Sequence, residues 1–236
     1  ASFINGPTGM IYNPGTALSP IWKNTFFVVE FVGNPAQAGI HAFKLKPKGA
    51  TFELAEQKKV LGGILATGLE FGPDGAVYVA DWIDGWINKG YGRIWKLDDP
   101  KGHSWDERIR TKEILEQDLK KEDLEYLGSL LKNQDQRVRQ KAQFELARRG
   151  SKGAQIFEQN LQQTDFQLAR VNAIIGLSQM ARLDDMDYAK PLIQLLKDQD
   201  PEIRAQAAKW LGDIKYSDAG KNLIPLLKDR NHRARF

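Results

Sequence analysis

The apolar positions change rhythm partway along the chain. Over residues 1–100 they come in short runs, or alternate with polar positions, and turn formers separate them. Thr25-Phe26-Phe27-Val28-Val29-Glu30-Phe31 is dense in strand-forming types. Between Gly39 and Lys46, Ile40 and Ala42 alternate with polar neighbours, weakly at Ala42, before Phe43 and Leu45. Ala76-Val77-Tyr78-Val79-Ala80 has the length of a buried strand, and Arg93-Ile94-Trp95-Lys96-Leu97 alternates cleanly. Gly72-Pro73-Asp74-Gly75 predicts a hairpin turn. Proline presets φ for the first turn position, and glycine accepts positive φ at the end.

These strands repeat. Gly9-Met10-Ile11-Tyr12 resembles Gly68-Leu69-Glu70-Phe71, Phe27 through Phe31 resembles Tyr78 through Trp82, and Gly39 through Leu45 resembles Gly92 through Leu97. The offsets are 51–59 residues. A period near 50 with three or four strands per unit is that of propeller blades, and two hairpins of a meander give the same signal. Two blades do not close a ring, so a blade reading implies a longer propeller.

After about residue 120 the apolar positions take the helical spacing, and a second repeat begins. Leu130-Leu131-Lys132-Asn133-Gln134-Asp135-Gln136-Arg137-Val138-Arg139 recurs as Leu195 through Arg204 and starts again at Leu226-Leu227-Lys228-Asp229-Arg230. A weaker copy runs from Asp165 to Arg170. Arg139, Arg170, Arg204 and Arg235 stand 31, 34 and 31 residues apart, and Ala142, Ala173 and Ala207 follow the first three at three residues. Such a period, with two amphipathic helices per unit, predicts a solenoid. In each unit a Leu-Leu helix ends and Asp is placed to cap the next helix, with Pro201 at a first helical position. The arginines, early in the second helices, are expected to form a row reaching back to the caps' carboxylates and backbone.

The fold class expected is therefore β followed by α: a partial β-propeller of about two blades over residues 1–100, a linker over 101–120 marked by Asp98-Asp99-Pro100-Lys101-Gly102, and a HEAT-like helical solenoid over 121–236. Charge divides the same way. Residues 1–100 hold nine basic and nine acidic side chains, so the whole net charge of +4 lies beyond them. Glycine and aromatics crowd the first part; Leu, Ala, Gln and Arg crowd the second.

Of the 236 residues none is cysteine, which excludes disulfides, a thiol nucleophile, zinc–thiolate and iron–sulfur sites and covalently attached haem c within the chain. The three histidines, His41, His103 and His232, are far apart in sequence. No apolar run approaches the roughly 18 residues of a membrane helix. The chain opens at Ala1 without Met and breaks off just inside a repeat, so it is expected to be part of a longer protein.

Several segments together resemble a known family. Pro7-Thr8-Gly9-Met10, Trp22 through Val28, Gly39 through Leu45, Thr67 through Trp82 and Gly92 through Leu97 are similar to the last blades of the glucose/sorbosone dehydrogenase-like propeller. The version with Asp81-Trp82-Ile83-Asp84-Gly85-Trp86, followed by HEAT-like repeats, resembles large secreted bacterial multidomain proteins often named membrane-bound dehydrogenase or haem-binding proteins. The resemblance implies an exported, periplasmic or extracellular module oxidising sugars or alcohols with pyrroloquinoline quinone and calcium. It also implies electron transfer to a haem c domain carrying Cys-x-x-Cys-His. Quinoprotein relatives hold the quinone carboxylates with arginines in a late strand, where this chain has Ala66-Thr67-Gly68-Leu69.

Among the residues themselves, Asp81 and Asp84 flank Trp82 and Trp86 in a glycine-containing loop. Clustered oxygens suit a calcium or substrate corner, and a turn whose carboxylates accept backbone N–H groups uses the same residues. His41 lies in a strand, either facing a channel as a base or ligand, or simply at the strand surface. With Trp82 and Trp86 it makes the substrate or partner set. Asp184-Asp185-Met186-Asp187 reads as a solvated loop. Arg137, Arg139, Lys141, Arg148 and Arg149 make a basic helix face that pairs with neighbouring carboxylates or meets phosphates. Two functions follow. One is an interaction scaffold without bound cofactor, whose partners are the remaining blades and a downstream domain, with protein or carbohydrate contacts and no nucleic acid. The other is part of a quinone-dependent sugar dehydrogenase with its site at the propeller mouth.

Overall fold

The computed structural model describes residues 4–83 and 90–235. The chain forms two compact units, residues 1–116 and 117–236. The first is built on antiparallel sheet and the second on helices.

In the first unit, β1 (Pro7–Tyr12), β2 (Phe26–Glu30), β3 (Gly39–Lys48) and β4 (Thr51–Gly62) pair in chain order as a four-stranded antiparallel meander. Strands β5 (Ala66–Phe71), β6 (Val77–Asp81) and β7 (Arg93–Leu97) form a three-stranded meander of the same sense. Each segment paired by similarity in the sequence falls in the matching strand: β1 with β5, β2 with β6, β3 with β7. The expected turn is present, with Gly75 at φ +77 and its N–H donating to the Gly72 carbonyl at 2.9 Å. Strand β4 was not foreseen. Its Glu53, Glu56, Lys58 and Lys59 hide it from hydrophobic alternation, yet charged residues suit a sheet edge that should not recruit another strand.

Period-two alternation sorts the strands' side chains. Phe27, Val29, Ile40 and Ala42 from one sheet meet Ala66, Phe71, Val77 and Val79 from the other in one core, with Ala17 and Leu18 added by the β1–β2 connection. The rings of Phe27 and Phe71 meet edge to face at 5.9 Å. Strands β1 and β5 run side by side. Thr8 Oγ1 donates to the Ala66 carbonyl at 3.3 Å, and a Cβ added to Gly9 would sit 3.2 Å from Leu69.

Residues 101–120, expected as a linker, carry helix α1 (Asp106–Glu116). Its Arg108 is buried and closes the first unit. The guanidinium donates to the carbonyls of Asp74 (2.7 Å) and Leu18 (3.2 Å) and pairs with Asp98 at 2.9 Å. Gly75 and Gly102 make room, since a Cβ at either would lie within 3 Å of this side chain. Thr16 Oγ1 also donates to Thr111 Oγ1 at 2.9 Å.

The second unit stacks helix pairs: α2 (Leu124–Leu130) with α3 (Gln136–Arg148), α4 (Ser151–Leu161) with α5 (Gln167–Leu183), α6 (Leu192–Leu195) with α7 (Pro201–Asp213), and α8 (Gly220–Leu223) before α9 (His232–Arg235). Asp135 and Asp200 cap as expected, their carboxylates accepting the N–H groups of Arg137 and Glu202. Ala142, Ala173 and Ala207 are fully buried, and the Phe157 ring packs against Gly176, where no Cβ fits. No helix among the described residues is long and apolar enough to cross a membrane.

Candidate functional site

Asp81 ends β6 and is buried. One carboxylate oxygen accepts the N–H groups of Leu65 (3.1 Å) and Ile83 (2.9 Å); the other accepts Trp95 Nε1 at 2.9 Å, with Arg93 Nε 3.9 Å away. Both oxygens are thus committed to tying β6 to the start of β5 and to β7. Trp82 follows with its ring partly exposed. Asp84 and Trp86 lie outside the described residues, so the expected corner of two aspartates and two tryptophans is seen only in Asp81 and Trp82. Among the described residues no group of three or more His, Asp or Glu side chains is placed to hold a metal ion.

His41 stands on β3, on the face of the sheet turned away from the core, across from Val28. Its Nε2 meets Glu30 Oε2 at 2.9 Å, and the Asn5 N–H also reaches Glu30. The bond from the Asn5 backbone and the one from His41 hold the Glu30 carboxyl below its ordinary pKa. Nothing in the sequence named Glu30 as the partner. The signal is diagonal placement across antiparallel strands, visible once Val28 is registered opposite His41. The same face carries a row of aromatic rings, Tyr12 on Phe26 at 4.6 Å and Phe26 stacked on Phe43 at 5.0 Å. The expected substrate set is not brought together: His41 belongs to the first sheet, and Trp82 follows the second.

The arginine row is the best-ordered polar feature of the second unit. Arg139, Arg170 and Arg204 are buried. Arg204 donates from Nη1 to the carbonyls of Asp198 (2.7 Å) and Gln199 (3.1 Å), and its Nε and Nη2 grip Asp229 of the next repeat at 2.7 and 2.9 Å. Arg170 donates to the Leu161 carbonyl and holds both oxygens of Asp198. The row therefore engages the carboxylates two residues before the caps, not the caps themselves. The caps are occupied: Arg137 grips Asp135, and Gln167 Nε2 donates to Asp200 at 2.7 Å.

Electrostatics follow these partners. The bond to Asp229 raises the Arg204 pKa, and the bond from Arg204 lowers that of Asp229. Burial alone would raise the Asp198 carboxyl, but bonds from Arg170 and the Asp200 N–H outweigh it and the net shift is down. Arg139 differs: burial pushes its pKa down, opposed only by Asp135.

The other members of the expected basic face divide. Lys141 reaches the Gln117 carbonyl, Arg149 bonds Glu145 and the carbonyls of Leu119 and Lys120, and Arg148 remains in solvent, 3.7 Å from Glu145. Beside Arg148, the ends of α3 and α5 enclose a cleft of about 250 Å³. Phe144 and Leu183, 41% and 72% exposed, line it.

Residues 154–236 match the family model described as HEAT repeats. The helix pair α2–α3 precedes the matched span and carries the same Leu-Leu, Asp and Arg positions. No curated protein matches the chain.

Proposed function

We propose that this chain is a scaffold, in which two neighbouring propeller blades are joined to a HEAT solenoid within an exported dehydrogenase-like protein. The observation that carries the blade reading is the pair of meanders with matching strand order, whose first strands β1 and β5 lie side by side. Radial repetition of blades generates that arrangement. The Tyr12–Phe26–Phe43 row on the outer face of the first sheet suits coverage by a further blade. HEAT repeats commonly serve protein–protein contact, and Phe144 and Leu183 offer apolar area for it.

The scaffold reading is favoured over the quinoprotein one by the residues where a quinone would be held. Ala66-Thr67-Gly68-Leu69 forms β5, and its apolar and hydroxyl side chains offer no cation to a carboxylate. The test has two arms. With an aldose, pyrroloquinoline quinone, calcium and a redox dye, the chain should reduce no more dye than a heat-denatured control; reduction above it overturns the scaffold reading. In the full-length parent, Tyr12 should be nitrated at least several-fold more slowly than in this chain. Equal rates would overturn the blade reading.

A further inference from the structure

Arg139 and Arg204 occupy the same position in their repeats and take the same pose. Nη1 of Arg139 donates to the carbonyls of Asn133 (2.7 Å) and Gln134 (2.9 Å), as Nη1 of Arg204 does to those of Asp198 and Gln199. In Arg204 the remaining Nε–Nη2 edge is filled by Asp229, 25 residues on. In Arg139 the same edge makes no hydrogen bond among the described residues, and Nε is buried without a partner. Twenty-five residues beyond Arg139 stands Thr164, exposed, uncharged and too short to bridge both nitrogens.

We propose that the Nε–Nη2 edge of Arg139 is a carboxylate-binding slot between loops 132–135 and 163–166. Its ligand is a carboxylate supplied from outside, taking the place that Asp229 takes on Arg204.

The chemistry is specific. A guanidinium edge presents two parallel N–H donors at the spacing of carboxylate oxygens, so the match is bidentate and directional. A buried donor without an acceptor is costly, and an arriving carboxylate removes that cost, whereas a neutral carbonyl satisfies only one donor. The surroundings leave the slot cationic. Arg137 already neutralises Asp135, and exposed Lys132 bridges the two loops by donating to Gln163 Oε1 at 3.3 Å. The slot is independent of whether the sheets belong to a propeller. A side chain of an acidic peptide and a free dicarboxylate share this chemistry, and the experiment separates them.

The test follows the Nε–H resonance of Arg139 in the 15N-labelled full chain during titration with succinate and, separately, with a blocked Gly-Asp-Gly peptide. The resonance should move downfield and saturate. A tighter response to the peptide assigns a protein source, and a tighter response to succinate a small-molecule one. Thr164→Asp fills the slot from within and should weaken the response at least tenfold while raising the thermal midpoint, so loss of folding is not at issue. Arg139→Lys, which keeps the charge and loses the fork, should also bind at least tenfold more weakly by calorimetry. Two results overturn the proposal: a resonance that neither probe moves, or a Thr164→Asp chain that binds as well as the parent. A resonance already downfield without probe, and released by Asp165→Asn, also overturns it, because the slot is then closed by the neighbouring aspartate.

Discussion

The two units bury polar groups by opposite routes. In the first, one arginine collects distant acceptors: Arg108 ties Leu18, Asp74 and Asp98, separated from it by as much as 90 residues. In the second, arginines spaced 31–34 residues apart each serve the carbonyls just before them and a carboxylate in the following repeat. Polar closure of the sheet unit rests on one side chain, whereas the solenoid distributes it along a row. The apolar cores do not differ in this way. Phe27 and Phe157 are each buried to within 1% of full coverage.

The largest expected effects test that last point. Phe27→Ala and Phe157→Ala should each cost about 3–5 kcal/mol, the usual loss for a buried phenylalanine. Denaturant titration with one probe per unit, Trp22 and Trp210 fluorescence, would read each. A cost under about 1 kcal/mol for either would show that its core tolerates a void.

Concentration against distribution separates the units at the next level. Arg108→Gln leaves Asp98 and two carbonyls without their partner and should cost about 3–5 kcal/mol, as breaking a buried pair does. Arg204→Gln should cost about 1.5–3 kcal/mol, the range of charge-assisted bonds. Arg139→Gln should cost less than Arg204→Gln, because it removes no ion pair. Equal losses at Arg204 and Arg139 would mean that the carboxylate of Asp229 contributes nothing to the row.

Acid should act on both units with the same sign and less per group. The carboxyls of Asp74, Asp98 and Asp99 in the sheets, and of Asp198 and Asp229 in the solenoid, all lie below their ordinary pKa. The unfolded chain then binds protons more readily than the folded one below about pH 4, so this stability is complete above that pH and declines as pH falls through the folded values. Thermal midpoints flat between pH 5 and 7 and falling below pH 4 would agree. A decline already under way between pH 6 and 5 would assign acid sensitivity to the histidines instead.

Legibility in the sequence divided along the same line. The arginine row could be read because its partners lie one repeat away, so spacing alone announced it; what spacing could not say was which aspartate each arginine would choose. Asp200 and Asp198 differ by two residues, and only the path of the loop decides that Asp198 faces Arg170. In the sheet unit, hydrophobic runs revealed six strands and the turn at Gly72–Gly75, but not β4, whose Lys and Glu face solvent. Arg108 was invisible for the opposite reason. It sits in a charged stretch with no periodic signal, and its acceptors are set by tertiary packing. Asp81 was singled out correctly as a residue with a task, and the task observed is the turn reading: its oxygens hold Leu65, Ile83 and Trp95.

The smallest expected effect is the control on which the comparison within the solenoid depends. Arg148 lies on the same helix as Arg139, yet it is 68% exposed and only 3.7 Å from Glu145, which also accepts from Arg149. An exposed pair of this geometry loses most of its attraction to solvent screening and to the ordering of a long side chain, so it is worth roughly 0–1 kcal/mol. Arg148→Gln should therefore leave the thermal midpoint almost unchanged where Arg204→Gln lowers it clearly. The prediction separates position from charge, since both changes remove one positive charge from the same unit. Equal and negligible losses for the two would show that the row is not structural. The arginines would then have to be read as a surface for an acidic partner, and Arg148, beside Phe144 and Leu183, would belong to it. A large loss at Arg148 alone would place the stabilising charge at the end of α3, where Glu145 joins it to Arg149.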